Sequence, residues 1–279
     1  MSQDFSLHMH TNLFDGKNTE QEMVDAAEQC GMKTIGISNH FIVHPNIVKT
    51  KFYPFAVIGG YATMYNTNFK NAIHNFKEHY NTLEQIATER NKYNINILRG
   101  MEMYMFDNKR WYNGYIRTID TLAPDYIIGA AHFIEYGGRL CNIHDMKNAA
   151  PDDQDKMLQT YWKKVQWIAK SGLCNFLAHI DLPARQNLGT DEKWTELEQE
   201  TIDVIANSKI PVEINTALYK YADRPHPSSR IMQMCADKKI PMILSDDAHH
   251  TSHVCKYFDE AKQYADRFGV NLVGLDKVL

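Results

Sequence analysis

Apolar residues in this chain follow two rhythms. Short apolar runs alternate with longer stretches in which apolar positions recur every three or four residues. The short runs predict seven strands: Ser6–His10, Thr34–Ser38, Asn96–Glu102, Tyr126–Ala131, Asn175–Ala178, Pro211–Asn215 and Pro241–Ser245. The longer stretches predict helices over Thr19–Cys30, Phe69–Tyr93, Asp153–Lys170, Glu192–Asn207, Ser228–Lys239 and Ser252–Phe268. In the first helix Thr19 and Glu22 form a capping box, and Met23, Ala26, Ala27 and Cys30 form the apolar stripe. Gly31 stops it. Strand–helix alternation calls for parallel strands joined by crossovers. The expected class is therefore α/β, a distorted (β/α)7 barrel, irregular or incompletely closed. A length of 279 residues suits one such domain over 1–279.

One stretch breaks the rhythm. Residues 41–68 carry His44-Pro45, Tyr53-Pro54 and Gly59-Gly60 among Phe52, Phe55, Tyr61 and Tyr65. So long an irregular connection in a compact domain is functional or disordered, and its aromatic content argues against disorder. It reads as a lid-like insertion over the barrel mouth. An extra packing loop fits the same residues.

Composition narrows the class. The chain is 44% hydrophobic and 23% charged, which is ordinary for a globular domain. Its net charge of -4 offers no nucleic-acid footprint, so any positive charge must be focused locally. The first residues show neither a basic segment nor an apolar one, so no signal peptide is expected. No apolar run reaches membrane-spanning length. The five cysteines form no CxxC pair and read as reduced. A cytoplasmic enzyme is expected.

The chemistry stands at the strand ends, where barrel enzymes keep it. The first strand ends in His8-Met9-His10, with Asp15 shortly after. Side chains at i and i+2 of a strand point the same way, so both imidazoles can aim at one place. The next strands run into Asn39-His40, Glu102, His132 and His179, and the last into Asp246-Asp247-Ala248-His249. One such His is usually a solvated or satisfied core residue. Repetition at six of seven strand ends predicts a metal site. The nine candidates His8, His10, Asp15, His40, Glu102, His132, His179, Asp247 and His249 exceed what one ion needs. Two or three divalent ions fit them. Mixed imidazole and carboxylate ligands suit Zn, Mn or Fe. Asp247, rather than Asp246, has the i, i+2 relation to His249 that aims both inward. Clustered divalent ions favour phosphoester hydrolysis.

These segments, His8-Met9-His10-Thr11 with Asp15-Gly16, Ser38-Asn39-His40, Gly100-Met101-Glu102, Ala131-His132-Phe133, Ala178-His179-Ile180-Asp181 and Ser245-Asp246-Asp247-Ala248-His249, carry a resemblance. In order and spacing the chain resembles the PHP (polymerase and histidinol phosphatase) superfamily over nearly its whole length. It is similar, more narrowly, to the PHP-type histidinol-phosphate phosphatases. The resemblance implies the PHP fold, a trinuclear metal centre, and catalytic roles for Glu102 and Asp247. One ion would take His8, His10, Glu102 and Asp247. A second would share Glu102 and add His132 and His179. The third would take Asp15, His40 and His249. The family usually has Asp before the second-strand His, and Asn39 here departs from that. A weaker carboxylate hold on His40 is the expected consequence.

A phosphatase also needs cations for the phosphate. Arg185 and Arg224 lie in the loops leaving the fifth and sixth strands and are the expected clamp, with catalytic and substrate-binding roles. Lys220, His226 and His144 are weaker candidates, and Glu213 and Asn215 would orient those loops. His44, His74, His79, His250 and His253 lack strand-end placement and read as bland. The leading reading is a metal-dependent phosphomonoesterase for a small phosphorylated metabolite, L-histidinol phosphate of histidine biosynthesis. The alternatives are a PHP phosphoesterase for nucleotide, sugar phosphate or phosphoprotein, and a non-catalytic, metal-stabilised scaffold. No nucleic-acid or membrane partner is expected.

Overall fold

Strands and main helices alternate strictly: β1 (Phe5–Ser6), α1 (Glu20–Gln29), β2 (Thr34–Ile37), α2 (Phe69–Arg90), β3 (Asn96–Tyr104), α3 (Lys109–Leu122), β4 (Tyr126–Ala130), α4 (Pro151–Lys170), β5 (Phe176–Leu177), α5 (Thr195–Ser208), β6 (Val212–Asn215), α6 (Ser229–Asp237), β7 (Pro241–Ser245) and α7 (Phe258–Phe268). This computed structural model describes residues 3–90 and 95–279, so the predicted extension of α2 to Tyr93 lies outside the described residues.

Each strand pairs in parallel with the next, from β1 to β7. The sheet curls until its edges meet. Met9, just past β1, bridges Ala248, just past β7. His10 N donates to Ala248 O at 2.9 Å and Ala248 N to His8 O at 3.2 Å. Lower down, the Gln3 side chain bonds both Leu244 O (2.7 Å) and Leu244 N (2.9 Å). Side-chain amide and a single bridge replace a full ladder, which makes the seven-stranded barrel distorted.

The strands are largely buried on both faces because helices cover the outside and side chains fill the inside. β4 and β6 are buried throughout. Tyr126 fills the barrel interior. Its hydroxyl donates to Leu7 O at 2.5 Å, and its ring lies against Gly36 and Gly100. A Cβ at Gly36 would stand 2.0 Å from that tyrosine and one at Gly100 2.2 Å, so neither position tolerates a side chain. Outside, α1 is capped by the Thr19–Glu22 box and buries Met23, Val24 and Ala27.

The sequence reading missed α3. Asn108 caps it through Arg110 N and Trp111 N, and Trp111, Tyr115 and Leu122 form its buried stripe. Gly114 masks the pattern, yet it is required where the Phe69 ring packs, because a Cβ there would lie 2.2 Å away. After β4 comes a hairpin, Phe133–Tyr136 with Arg139–Asn142, turning at Gly137-Gly138. A short helix, Ile143–Lys147, follows it. Residues 41–68 are not structureless. His40–Val43 pairs with β3, Tyr65–Asn66 pairs with His40–Val43, and Tyr53–Ile58 is helical between them.

Candidate metal centre

The strand register explains how residues distant in sequence meet. In the pairing of His40–Val43 with β3, His40 stands opposite Glu102. His8 and His10 flank the Met9–Ala248 bridge, so they share one face while Met9 points into the core. His132 and His179 follow β4 and β5 directly, and Asp247 and His249 follow β7. All nine predicted ligands converge at this end of the barrel.

Glu102 is the hub. Its Oε1 lies 2.9 Å from His132 Nε2 and 3.1 Å from His179 Nε2. Its Oε2 lies 3.7 Å from both His8 Nε2 and His10 Nε2, and touches His40 Nδ1. Asp247 Oδ1 reaches His10 Nε2 at 3.1 Å and His8 Nε2 at 3.5 Å. Asp15 Oδ2 sits between His40 Nε2 (3.3 Å) and His249 Nε2 (3.4 Å). Four overlapping groups each bring their ligand atoms within 4.8 Å: His10, Asp15, His40 and His249; His8, His179 and Asp247; His8, His10 and Glu102; and Glu102, His132 and His179. The grouping differs in detail from the one the resemblance implies. His10 reaches the Asp15 end, and Asp247 sits with His179.

Two of these residues hold a left-handed backbone, His179 at φ 28° and Asp247 at φ 47°. Such non-glycine outliers cost of order 1–3 kcal/mol each and cluster at functional sites. Asp246 faces elsewhere. It accepts from Ser6 Oγ (3.1 Å) and Cys255 N (2.6 Å), and burial pushes its carboxyl up to about 7.

The electrostatics suit cations. Glu102 is fully buried, yet the His40 and His132 imidazoles overcome that burial and hold its carboxyl well below the usual range. Asp15 and Asp247 are likewise held low against burial, by His40 and His249 and by His8 respectively. Burial, with His40 and His249 beside it, lowers His10 to about 3, and burial lowers His132 to about 4. Burial opposes charge on His40, but Asp15 and Glu102 raise it to about 10. Ionised carboxylates thus stand beside His10 and His132, which keep free lone pairs, while the carboxylates hold His40 in its charged form. Several buried atoms make no hydrogen bond despite these close approaches: His8 Nε2, both His10 nitrogens, Asp15 Oδ1, Glu102 Oε2 and His179 Nδ1. Buried polar atoms left unpaired are costly, and a bound cation would satisfy them. The donor set and these atoms fit divalent metal ions.

A second layer holds the ligands. Glu213, fully buried, accepts from His8 Nδ1 at 2.5 Å and from His179 N at 3.0 Å. Asn215 Nδ2 donates to Glu213 (2.9 Å) and Asp247 (3.3 Å). These two residues therefore hold His8, His179 and Asp247. Tyr104 stacks on His132 at 4.2 Å and brings its hydroxyl within 2.8 Å of His40 Nδ1. Sequence reading missed Tyr104, although its spacing of two from Glu102 on one strand was the available signal.

A cavity of about 190 Å³ opens onto the ligands. Phe52, Met64 and Tyr65 of the 41–68 segment line it, with Phe133, His144 and Arg185. Arg185 stacks on Tyr221 at 4.3 Å and donates to its hydroxyl at 2.5 Å. Arg224, the other expected phosphate contact, does not line this cavity. Its guanidinium lies 3.5 Å from buried Asp181 and donates to Pro225 O at 2.9 Å, and it lines a separate cavity with Trp162 and Ser228. The Asp181 carboxylate draws it there. His226 donates to Asp181 as well, at 2.5 Å. Lys220 is exposed at the rim, near Asp247 and Arg185. Asn39 does not touch the His40 ring, so the expected weakening of that hold has no contact to act through. No helix among the described residues is long and apolar enough to cross a membrane, and all five cysteines are free.

The fold recurs in a histidinol phosphate phosphatase of Lactococcus lactis, solved with zinc, L-histidinol and phosphate. The TM-score is 0.70 at 17% identity, over 97% of this chain and 95% of that one. At that identity the likeness is one of fold. Two curated relatives are similar in sequence, both named probable histidinol-phosphatase. The Deinococcus radiodurans protein is 27% identical over 145 residues, 51% of this chain and 54% of the relative. The Thermotoga maritima protein is 24% identical over 139 residues, 49% of this chain and 58% of the relative. The chain thus spans little more than half the length of the curated relatives it matches. A family model for the PHP domain matches residues 6–217, a stretch that holds seven of the nine converging side chains. The chain belongs to the PHP domain family.

Proposed function

We propose that this protein is a metal-dependent phosphomonoesterase that converts L-histidinol phosphate to L-histidinol and phosphate. The observation that carries the reading is the convergence of nine candidate ligands, Glu102 among them, with Arg185 lining the same cavity. The names of the curated relatives, and the zinc, L-histidinol and phosphate of the Lactococcus lactis structure, support the same substrate.

The four groups would hold two or three divalent ions, Zn, Mn or Fe, and Glu102 belongs to two of those groups. Bound there, such ions supply Lewis acidity to the phosphoryl oxygens and acidify an attacking water. The chain's own groups do the rest. Glu213 fixes the His8 ring through Nδ1, leaving Nε2 facing the centre. Arg185 is a permanent cation lining the same cavity, and its fork matches a phosphate's oxygens. Phe52, Met64 and Tyr65 form an apolar wall, and residues 41–68 act as a lid that excludes water from the reacting group.

The cavity volume of about 190 Å³ favours a small leaving group over a nucleotide or a protein loop. The five free cysteines agree with a cytoplasmic enzyme of histidine biosynthesis. Steady-state phosphate release from L-histidinol phosphate, compared with a panel of sugar, nucleotide and aryl phosphates, tests the reading. L-histidinol phosphate should give the highest kcat/KM by at least tenfold. Equal rates across the panel would refute the substrate assignment.

A further inference from the structure

The turn that carries Asp15 hangs on Thr11. The Thr11 carbonyl accepts from Phe14 N and Gly16 N, both at 3.0 Å. Gly16 is packed so closely on His10 that a Cβ would lie 2.6 Å from the His10 oxygen. Where Thr11 goes, Asp15 follows. Thr11 is fully buried, and its backbone N–H needs an acceptor.

Asn39 supplies that acceptor. Its Oδ1 lies 2.8 Å from Thr11 N, which fixes the orientation of the amide. Its Nδ2 then donates to Thr11 Oγ1 at 3.0 Å and meets His79 Nε2 at 3.2 Å. Because His79 Nε2 accepts, the ring proton sits on Nδ1, which donates to Glu20 Oε1 at 3.0 Å. Thr11 Oγ1 passes its own proton to the same Glu20 oxygen at 3.3 Å. Every donor in this buried circuit has an acceptor. It ties the end of β2 to α1 through Glu20 and to α2 through His79. An amide fits because it offers one acceptor and two donors, whereas a carboxylate at 39 would offer acceptors only.

We propose that Asn39 is a positioning residue for the Asp15 end of the metal centre, with His79 and Glu20 as its support. The inference rests on the metal-dependent reading above. Through Thr11, Asn39 sets the Asp15 carboxylate between His40 and His249 while touching none of the three. His79, which reads as bland in the sequence, is the partner that the amide at 39 requires.

The test compares the wild-type full chain with Asn39→Ala, Asn39→Asp and Thr11→Val. Bound ions are counted by elemental analysis, zinc affinities are taken from competition titration, and melting curves are recorded on chelated protein. Asn39→Ala should lose one ion, or bind its weakest ion at least tenfold less tightly, with the remaining affinities within threefold of wild type. Asn39→Asp keeps the acceptor for Thr11 N–H and should lose less. Thr11→Val drops only the hydroxyl contacts and should weaken the same ion, which keeps the test open if Asn39→Ala fails to fold. Wild-type ion counts and affinities in both Asn39→Ala and Thr11→Val would overturn the proposal. So would a uniform loss of all ions with a collapsed melting temperature in both variants. Wild-type protein that binds no ion at all would refute the metal reading first, and Asn39 positioning with it.

Discussion

Arg185 and Arg224 look alike in sequence, and the structure separates them. Arg185 lines the cavity with the ligand cluster and has no carboxylate partner among the described residues. Arg224 is held by Asp181 and faces a different cavity. Truncating each to alanine should therefore have unequal effects. A charge-assisted hydrogen bond contributes about 1.5–3 kcal/mol, and the exposure of Arg185 argues against anything larger. Arg185→Ala should then lose roughly 10- to 150-fold in kcat/KM, at about 1.4 kcal/mol per factor of ten. Metal content should stay at the wild-type value, because a guanidinium has no lone pair to give a cation. Arg185→Lys should recover only part of the loss, since an ammonium cannot form the fork. Arg224→Ala should keep kcat/KM within a few-fold and lower the melting temperature instead, because it strips a partner from buried Asp181. The assay is steady-state phosphate release, with elemental analysis and melting curves for each variant. Equal losses from both variants, or a near-normal Arg185→Ala, would refute the separation drawn here.

Three further substitutions probe other parts of the account. Glu102→Gln keeps the size of the hub but removes its charge, so ion occupancy and turnover should both collapse; near-normal turnover would refute the bridging role. Glu213→Gln should weaken ion binding about 10- to 100-fold by loosening His8, as read by zinc titration, and unchanged affinity would rule that role out. Gly100→Ala forces a Cβ onto the Tyr126 ring, which cannot swing away while its hydroxyl holds Leu7 O. Overpacking of that kind costs about 1–3 kcal/mol, or a melting temperature lower by roughly 2–10 °C, and an unchanged melt would contradict the packing described.

The seven strands and all nine clustered residues were legible because one event repeats along the chain: an apolar run ending in an imidazole or carboxylate. Six helices were legible from their spacing. The helix α3 was hidden because Gly114 answers a tertiary demand, room for Phe69, that local propensity does not express. The Gly137-Gly138 hairpin was a readable signal that the sequence analysis passed over. The direction of Arg224 was not readable, because it is set by Asp181, a residue close in space and far in sequence. Glu213 was placed near the site by its strand position, but its grip on His8 depends on how β6 and β1 face each other across the barrel. For the same reason His79 carried no sequence signal, since its partner Asn39 lies on another element.

The central claim is that turnover depends on ions held by the cluster around Glu102. Phosphate release from L-histidinol phosphate, measured alongside elemental analysis, tests it on protein as purified, after exhaustive chelation, and after return of Zn or Mn. The account predicts at least two equivalents of transition metal as purified, loss of activity with the metal, and recovery in proportion to the ions regained. Undiminished turnover by protein stripped of metal would contradict it.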